Sequence, residues 1–194
     1  MLEEPELAEI RKRLLIPLCI RNIESGVQRV IMSNLNKILI DGAVLSFLAS
    51  LWLILALWVN PRIFLHDYPA KIQEKVPQKN KTEKRLSFVF GVPFMLLLLL
   101  GPFISTLTLE AYGETRFWAL WLNAAGVVFV FNVVDWLILD WFIFCTLTPR
   151  FVVIPGSEGM AEYKDYWFHF RGFLHGTVYS TLGGFVIAGI VFLL

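Results

Sequence analysis

Four stretches of this chain are nearly free of charge, and each is long enough to cross a lipid bilayer. A hydrocarbon core about 30 Å thick needs about 20 residues of helix. The first stretch runs from about Ile38 to Val59, with no charged residue from Gly42 onward, and Asn60-Pro61 closes it. The second runs from about Phe88 to Leu109, the third from Phe117 to Leu147, and the fourth from about Phe173 to Leu194.

Inside lipid every backbone N–H and C=O must bond within the protein, so a span is either a helix or a strand of a closed barrel. No ten-residue alternation of apolar and polar residues marks a barrel here. The composition agrees: 57% of the residues are hydrophobic and 17% charged, against about 45–50% and about 25% in soluble domains. The expected fold is an all-α integral membrane protein with four transmembrane helices. The first stretch begins too far into the chain, and is too long, for the apolar core of a cleaved signal peptide. A formal net charge of +1 argues against a generally basic nucleic-acid binder. Cys19 and Cys145 are too few for a disulfide scaffold, and Cys145, inside an apolar run, reads as a small core filler.

Residues 1–37 differ from the 38–194 membrane domain. Leu7, Ile10 and Leu14 fall at helical spacing, and Ile23, Val27, Val30, Ile31, Leu35 and Ile38 repeat the pattern beyond Pro17. Two amphipathic helices are expected, lying at the membrane surface or packed on the spans. Lys and Arg are dense over 60–87 and recur over 148–172, while the turn over 110–116 holds only Arg116. The positive-inside rule then places the loops 60–87 and 148–172 in the cytoplasm, although the basic residues of the N-terminal segment favour the opposite orientation.

Small residues recur every fourth position in the last span: Gly172, Gly176, Ser180, Gly184 and Ala188. Gly42, Ser46 and Ser50 make a shorter version in the first. Such stripes let helix backbones approach closely. The stripe is expected to meet the first span or its own copy in an oligomer. Gly101-Pro102 in the second span predicts a kink, because proline cannot donate to the preceding turn.

The third span carries Asn132, Asp135 and Asp140, and intramembrane carboxylates usually face a bundle interior or a wet cavity. At α-helical spacing Asp135 and Asp140 point about 140° apart, so each needs its own partner. His175, at the start of the fourth span, is a candidate partner for Asp140 and could relay a proton. The alternative is that the long third span emerges from the core or breaks near the acids, leaving Asp140 wet.

The loop between the third and fourth spans is expected to be ordered. Phe151–Ile154 reads as a short extended piece, Pro155-Gly156 as a turn, and Ser157 as a helix cap. On the helix after Ser157, Glu158, Glu162, Asp165 and His169 share one face. That face could hold a divalent metal, although no strong metal motif is present and no cofactor is expected. No P-loop, nucleophile elbow or dinucleotide fingerprint occurs.

Three classes of function remain. One is permeation or transport of a proton, ion or small solute through an oligomer, using Asp135, Asp140 and His175. The second is a non-catalytic assembly subunit of a larger membrane complex. The third is a membrane enzyme working at headgroup level.

Overall fold

The structure is a computed structural model that describes residues 34–111 and 115–194. The expected amphipathic helices over 1–33, with Cys19, lie outside the described residues. The compact unit treated below is Ile38–Leu194. Four of its helices are long and apolar enough to cross a membrane. They are α1 (Asn34–Val59), α3 (Lys81–Ala111), a third span running Phe117–Leu147, and α5 (Tyr166–Leu193). Every regular element among the described residues is helical. The chain is thus an all-α integral membrane protein.

Three spans begin earlier than hydropathy places them, because polar caps and not apolar runs set helix starts. Asn80 Oδ1 accepts from the Glu83 amide at 2.8 Å, and the Asn80 amide donates to Glu83 Oε2 at 2.8 Å. This reciprocal capping box opens α3 at Lys81, about two turns before the apolar run. Arg62 donates to Glu83 Oε1 at 2.6 Å and to the Pro77 carbonyl, tying the helix start to the segment after α1. Replacing Asn80 by Ala should cost about 1 kcal/mol of stability. Chemical denaturation in detergent micelles would measure it, and an unchanged midpoint would contradict the cap's role.

The helices pack through small residues, but not in the expected pairs. The α5 stripe meets the third span of the same chain. A Cβ on Gly184 would lie 2.7 Å from Ala125 Cβ, and one on Gly176 would strike the Asn132 side chain. Ser180 and Ala188 are buried along the same line, whereas Gly172 faces open space. α1 also packs on the third span, with a Cβ on Gly42 only 2.6 Å from Val130 Cβ. Ser46 is buried and donates to the Gly42 carbonyl, while Ser50 is half-buried. The third span is therefore the central post of the bundle.

Gly101-Pro102 does not interrupt α3, which runs unbroken through Pro93 and Pro102. Gly101 instead seats Leu45, whose Cδ1 would be 3.1 Å from an added Cβ. At the far end α3 and α5 pack together through Leu109, Ile187, Ala188 and Val191. A polar chain crosses the bundle nearby. Ser105 donates to Asp41 at 2.6 Å, and Asn123 Nδ2 donates to both Ser105 and Thr106. It joins α1, α3 and the third span by hydrogen bonds where water is scarce.

The opposite end is covered by the two long connections. A 3-10 helix (Pro61–Asp67) and α2 (Ala70–Lys75) pack on the segment after the third span. Leu65, Tyr68, Ile72, Val152, Ile154 and Tyr163 form one buried cluster there, with Cys145 as filler. Tyr68 donates its hydroxyl to the Val152 carbonyl at 2.8 Å. Lys79 donates to the Ile63 carbonyl and to Ser87 Oγ, so the basic stretch after α2 is anchored as well. The loops 60–87 and 148–172 thus lie at one end of the bundle.

Candidate functional site

The third span changes its winding where its acids begin. It is α-helical over Phe117–Val134 (α4) and π-helical over Asp135–Leu147. In a π-helix the backbone bonds run to the fifth residue, which sets residues five apart nearly above one another. Thr148 N–H donates to the Ile143 carbonyl, and the Thr146 hydroxyl reaches back to Trp141. Asp135 and Asp140 are five apart. The 140° divergence expected from α-helical winding is therefore wrong, and both carboxylates face one cavity. Thr148, at φ 42°, ends the segment in the left-handed region.

The cavity has a volume of about 740 Å³ and lies between α1, α3, the third span and α5. Its polar end holds Asp67, Asp135, Asp140 and His169. His169 Nδ1 is 2.9 Å from Asp140 Oδ1, and the imidazole is buried, with 5% of its side chain exposed. In the neutral tautomer that suits this contact, Nδ1–H donates to the carboxylate and Nε2 keeps its lone pair. Nε2 is buried and has no partner in the protein. Trp136 Nε1–H, on the same cavity wall, is likewise buried and unpartnered. The Trp136 ring is held by Phe173, stacked at 4.4 Å. Two residues that line one cavity thus each bury an unpartnered polar atom, where buried polar groups ordinarily have partners.

The inner end of the cavity is apolar and closed. Leu53, Phe94, Leu98 and Phe131 line it. Behind them Leu45, Ala49 and Val127 are buried in tight packing. The cavity is therefore blind toward the far end of the bundle.

Asp67, which the sequence reading missed, reaches this cavity from the 3-10 helix after α1. Asp67 is an exposed residue on the cavity wall, yet protein atoms crowd its carboxyl. Burial pushes its carboxyl above the ordinary range, the charge of Asp140 adds to this, and His66 and Lys79 pull the other way. The sign of the stability effect follows. A carboxyl raised on folding stabilises the fold while protonated, and that contribution is lost as pH rises through the raised value. Asp67→Asn should therefore melt higher than the wild type at pH 7, with the gap closing toward pH 4. Thermal melts in detergent at both pH values would check this. A variant less stable by the same amount at each would contradict it.

Several expected site residues are dispersed. His175 does not pair with Asp140. It lies at the cavity rim, exposed, and His169 occupies the place assigned to it. The metal face does not form, because no single helix follows Ser157. Glu158 folds back onto the Gly156 amide, Glu162 pairs with Lys71 at 3.1 Å, and Asp165 caps α5 by accepting from the Phe168 amide at 2.9 Å. Only a short 3-10 turn, Ala161–Lys164, precedes α5. Among the described residues no three His, Cys, Asp or Glu side chains are gathered as metal ligands would be. Ser157 is no helix cap: it donates to the Ile154 carbonyl and accepts from the Tyr163 hydroxyl. Phe151–Ile154 is a turn and not a strand. Asn132 is committed to α5, donating to the Phe173 carbonyl and to Thr177.

Comparison with protein-family models, with curated proteins and with solved structures gives no match to this chain.

Proposed function

We propose that this protein is a membrane enzyme that performs acid–base chemistry on a lipid-like amphiphile held in the cleft. One observation carries the reading: His169, which lines a cavity with a polar end and an apolar end, has a buried imidazole oriented by a carboxylate at 2.9 Å and an Nε2 with no partner in the protein. A positioned base of this kind removes a proton from an attacking oxygen. Water or a hydroxyl would give its proton to Nε2 while its oxygen bonds to the ester centre. The departing ester oxygen would then take that proton back. Trp136 Nε1–H is available to hydrogen-bond an oxygen of the bound molecule. The apolar walls suit an acyl chain, as ligand cavities are mostly apolar with a few fixed polar groups.

Permeation is the second reading, favoured by three aspartates within one intramembrane cavity. It requires the packing around Leu45, Ala49 and Val127 to open, in one chain or in an oligomer. An assembly-subunit role loses its main support, since the α5 stripe is already occupied within the chain. The charge pattern favours a cytoplasmic position for the cleft end.

Paired assays on the purified protein in vesicles of natural polar lipid separate these readings. The enzyme reading expects one lipid class to fall and a product to rise, with no dissipation of an imposed pH gradient. Gradient collapse with unchanged lipid composition would favour permeation and overturn it.

A further inference from the structure

The cavity has a side as well as an end. Gly91 on α3 and Gly172 on α5 both line it, and a Cβ on either would meet nothing within 4 Å. The two helices that pack tightly through Leu109 and Val191 thus stand apart here. Farther along the same walls are Met95 and Tyr179, which are 52% and 71% exposed. Both lie within the apolar stretches of their helices, so this flank of the cleft faces lipid tails and not bulk water.

Charge at the polar end is one-sided. Asp67, Asp135 and Asp140 line the cavity against one permanent cation, Arg171, with His66 and His175 also on its wall, and His169 is engaged with one of the three acids. Lys79 lies close enough for Asp67 to feel its charge, but its ammonium is turned onto the Ile63 carbonyl and Ser87. Crowded carboxylates in a poorly hydrated site are costly, and either a retained proton or a neighbouring positive charge relieves them. Trp136, Phe144, Phe168 and Phe173 line the cavity as well, and aromatic rings attract a cation. The aspartates are not gathered closely enough to chelate a bare metal ion. An ammonium group on a chain that fills the apolar end satisfies both halves of the cavity.

We infer that the cleft admits its ligand sideways from the bilayer, between α3 and α5, and that this ligand is a lipid with a positively charged amine headgroup. The inference rests on the enzymatic reading for its purpose, but not for its test. Full-length protein in nonionic detergent would be titrated with n-dodecylamine, n-dodecanol and dodecyl phosphate, each competing with radiolabelled dodecylamine. The amine should bind at least about tenfold more tightly than the alcohol, which shares its chain, and the phosphate more weakly still. Gly91→Trp and Gly172→Trp, whose Cβ atoms meet nothing within 4 Å, should each obstruct the open flank and weaken amine binding about tenfold while melting like the wild type. Equal affinity for the amine and the alcohol would overturn the headgroup assignment without needing any variant. Wild-type binding by both folded tryptophan variants would overturn the lateral route.

His169→Gln separates this inference from the enzymatic reading. Retained amine binding with lost lipid conversion is the result expected of both. Retained conversion would defeat the acid–base reading and leave the ligand assignment standing.

Discussion

His169→Gln should lower lipid conversion by about two to four orders of magnitude, the range that a positioned general base contributes. Glutamine can still hydrogen-bond Asp140 but has no basic nitrogen to accept a proton. Asp140→Asn should act in the same direction through a different cause. Its amide can present N–H toward Nδ1, which would select the tautomer with the proton on Nε2 and remove the free lone pair. Neither change removes packing volume, so both variants should retain the wild-type helical content. His175→Gln, at the exposed rim, should convert lipid at nearly the wild-type rate. Loss of conversion in His175→Gln with none in His169→Gln would reverse the assignment and restore the pairing expected from sequence. Conversion would be followed by mass spectrometry of extracted lipid, normalised to folded protein.

Gly184→Ala should destabilise the bundle by about 1–3 kcal/mol, a large effect for one methyl group. The added Cβ would lie 2.7 Å from Ala125 Cβ and 2.9 Å from the Ala125 backbone, and backbone cannot turn aside as a flexible side chain can. α5 must then separate from the central third span. Gly184→Leu should be worse. Gly183 and Gly189 lie on the same helix with nothing within 4 Å of an added Cβ. Alanine at either should be neutral or slightly stabilising, because it improves helix propensity without a clash. Thermal unfolding of the three alanine variants side by side would read the contrast. Equal melting at all three positions would mean that the stripe does not hold α5 to the third span.

The fold was largely legible because uncharged runs of this length admit one architecture. Their edges were less so. A run of apolar residues marks where lipid begins, whereas Asn80, Glu83 and Asp165 mark where helices begin, outside the lipid. The small-residue stripe was visible, but its partner was not, since an interface motif carries no address.

The site was half legible. Asp135 and Asp140 stood out through their chemistry, and their joint exposure to one cavity did not, because a period of 3.6 residues was carried into a π-helical stretch. The wider winding also turns Asp140 to a side that α-helical spacing does not predict, and His169, not His175, stands beside it there. The supposed metal face failed for the reverse reason. A helical period was imposed on 158–169, although Gly156 and Gly159 hold φ of 90° and 75° and keep the chain out of a helix. The paired glycines in PGSEG were the available signal. Asp67 gave none, as a lone acid beside a span end carries no mark of the cavity it borders.

The central measurement is a time course of lipid composition in vesicles of natural polar lipid holding the wild-type protein, with His169→Gln protein in matched vesicles. The result expected is a steady fall of one lipid class with a matching rise of product in the wild-type vesicles, and a rate at least about a hundredfold lower in the variant. Unchanged lipid in the wild-type vesicles, or equal conversion in both, would contradict an acid–base role for the Asp140–His169 pair.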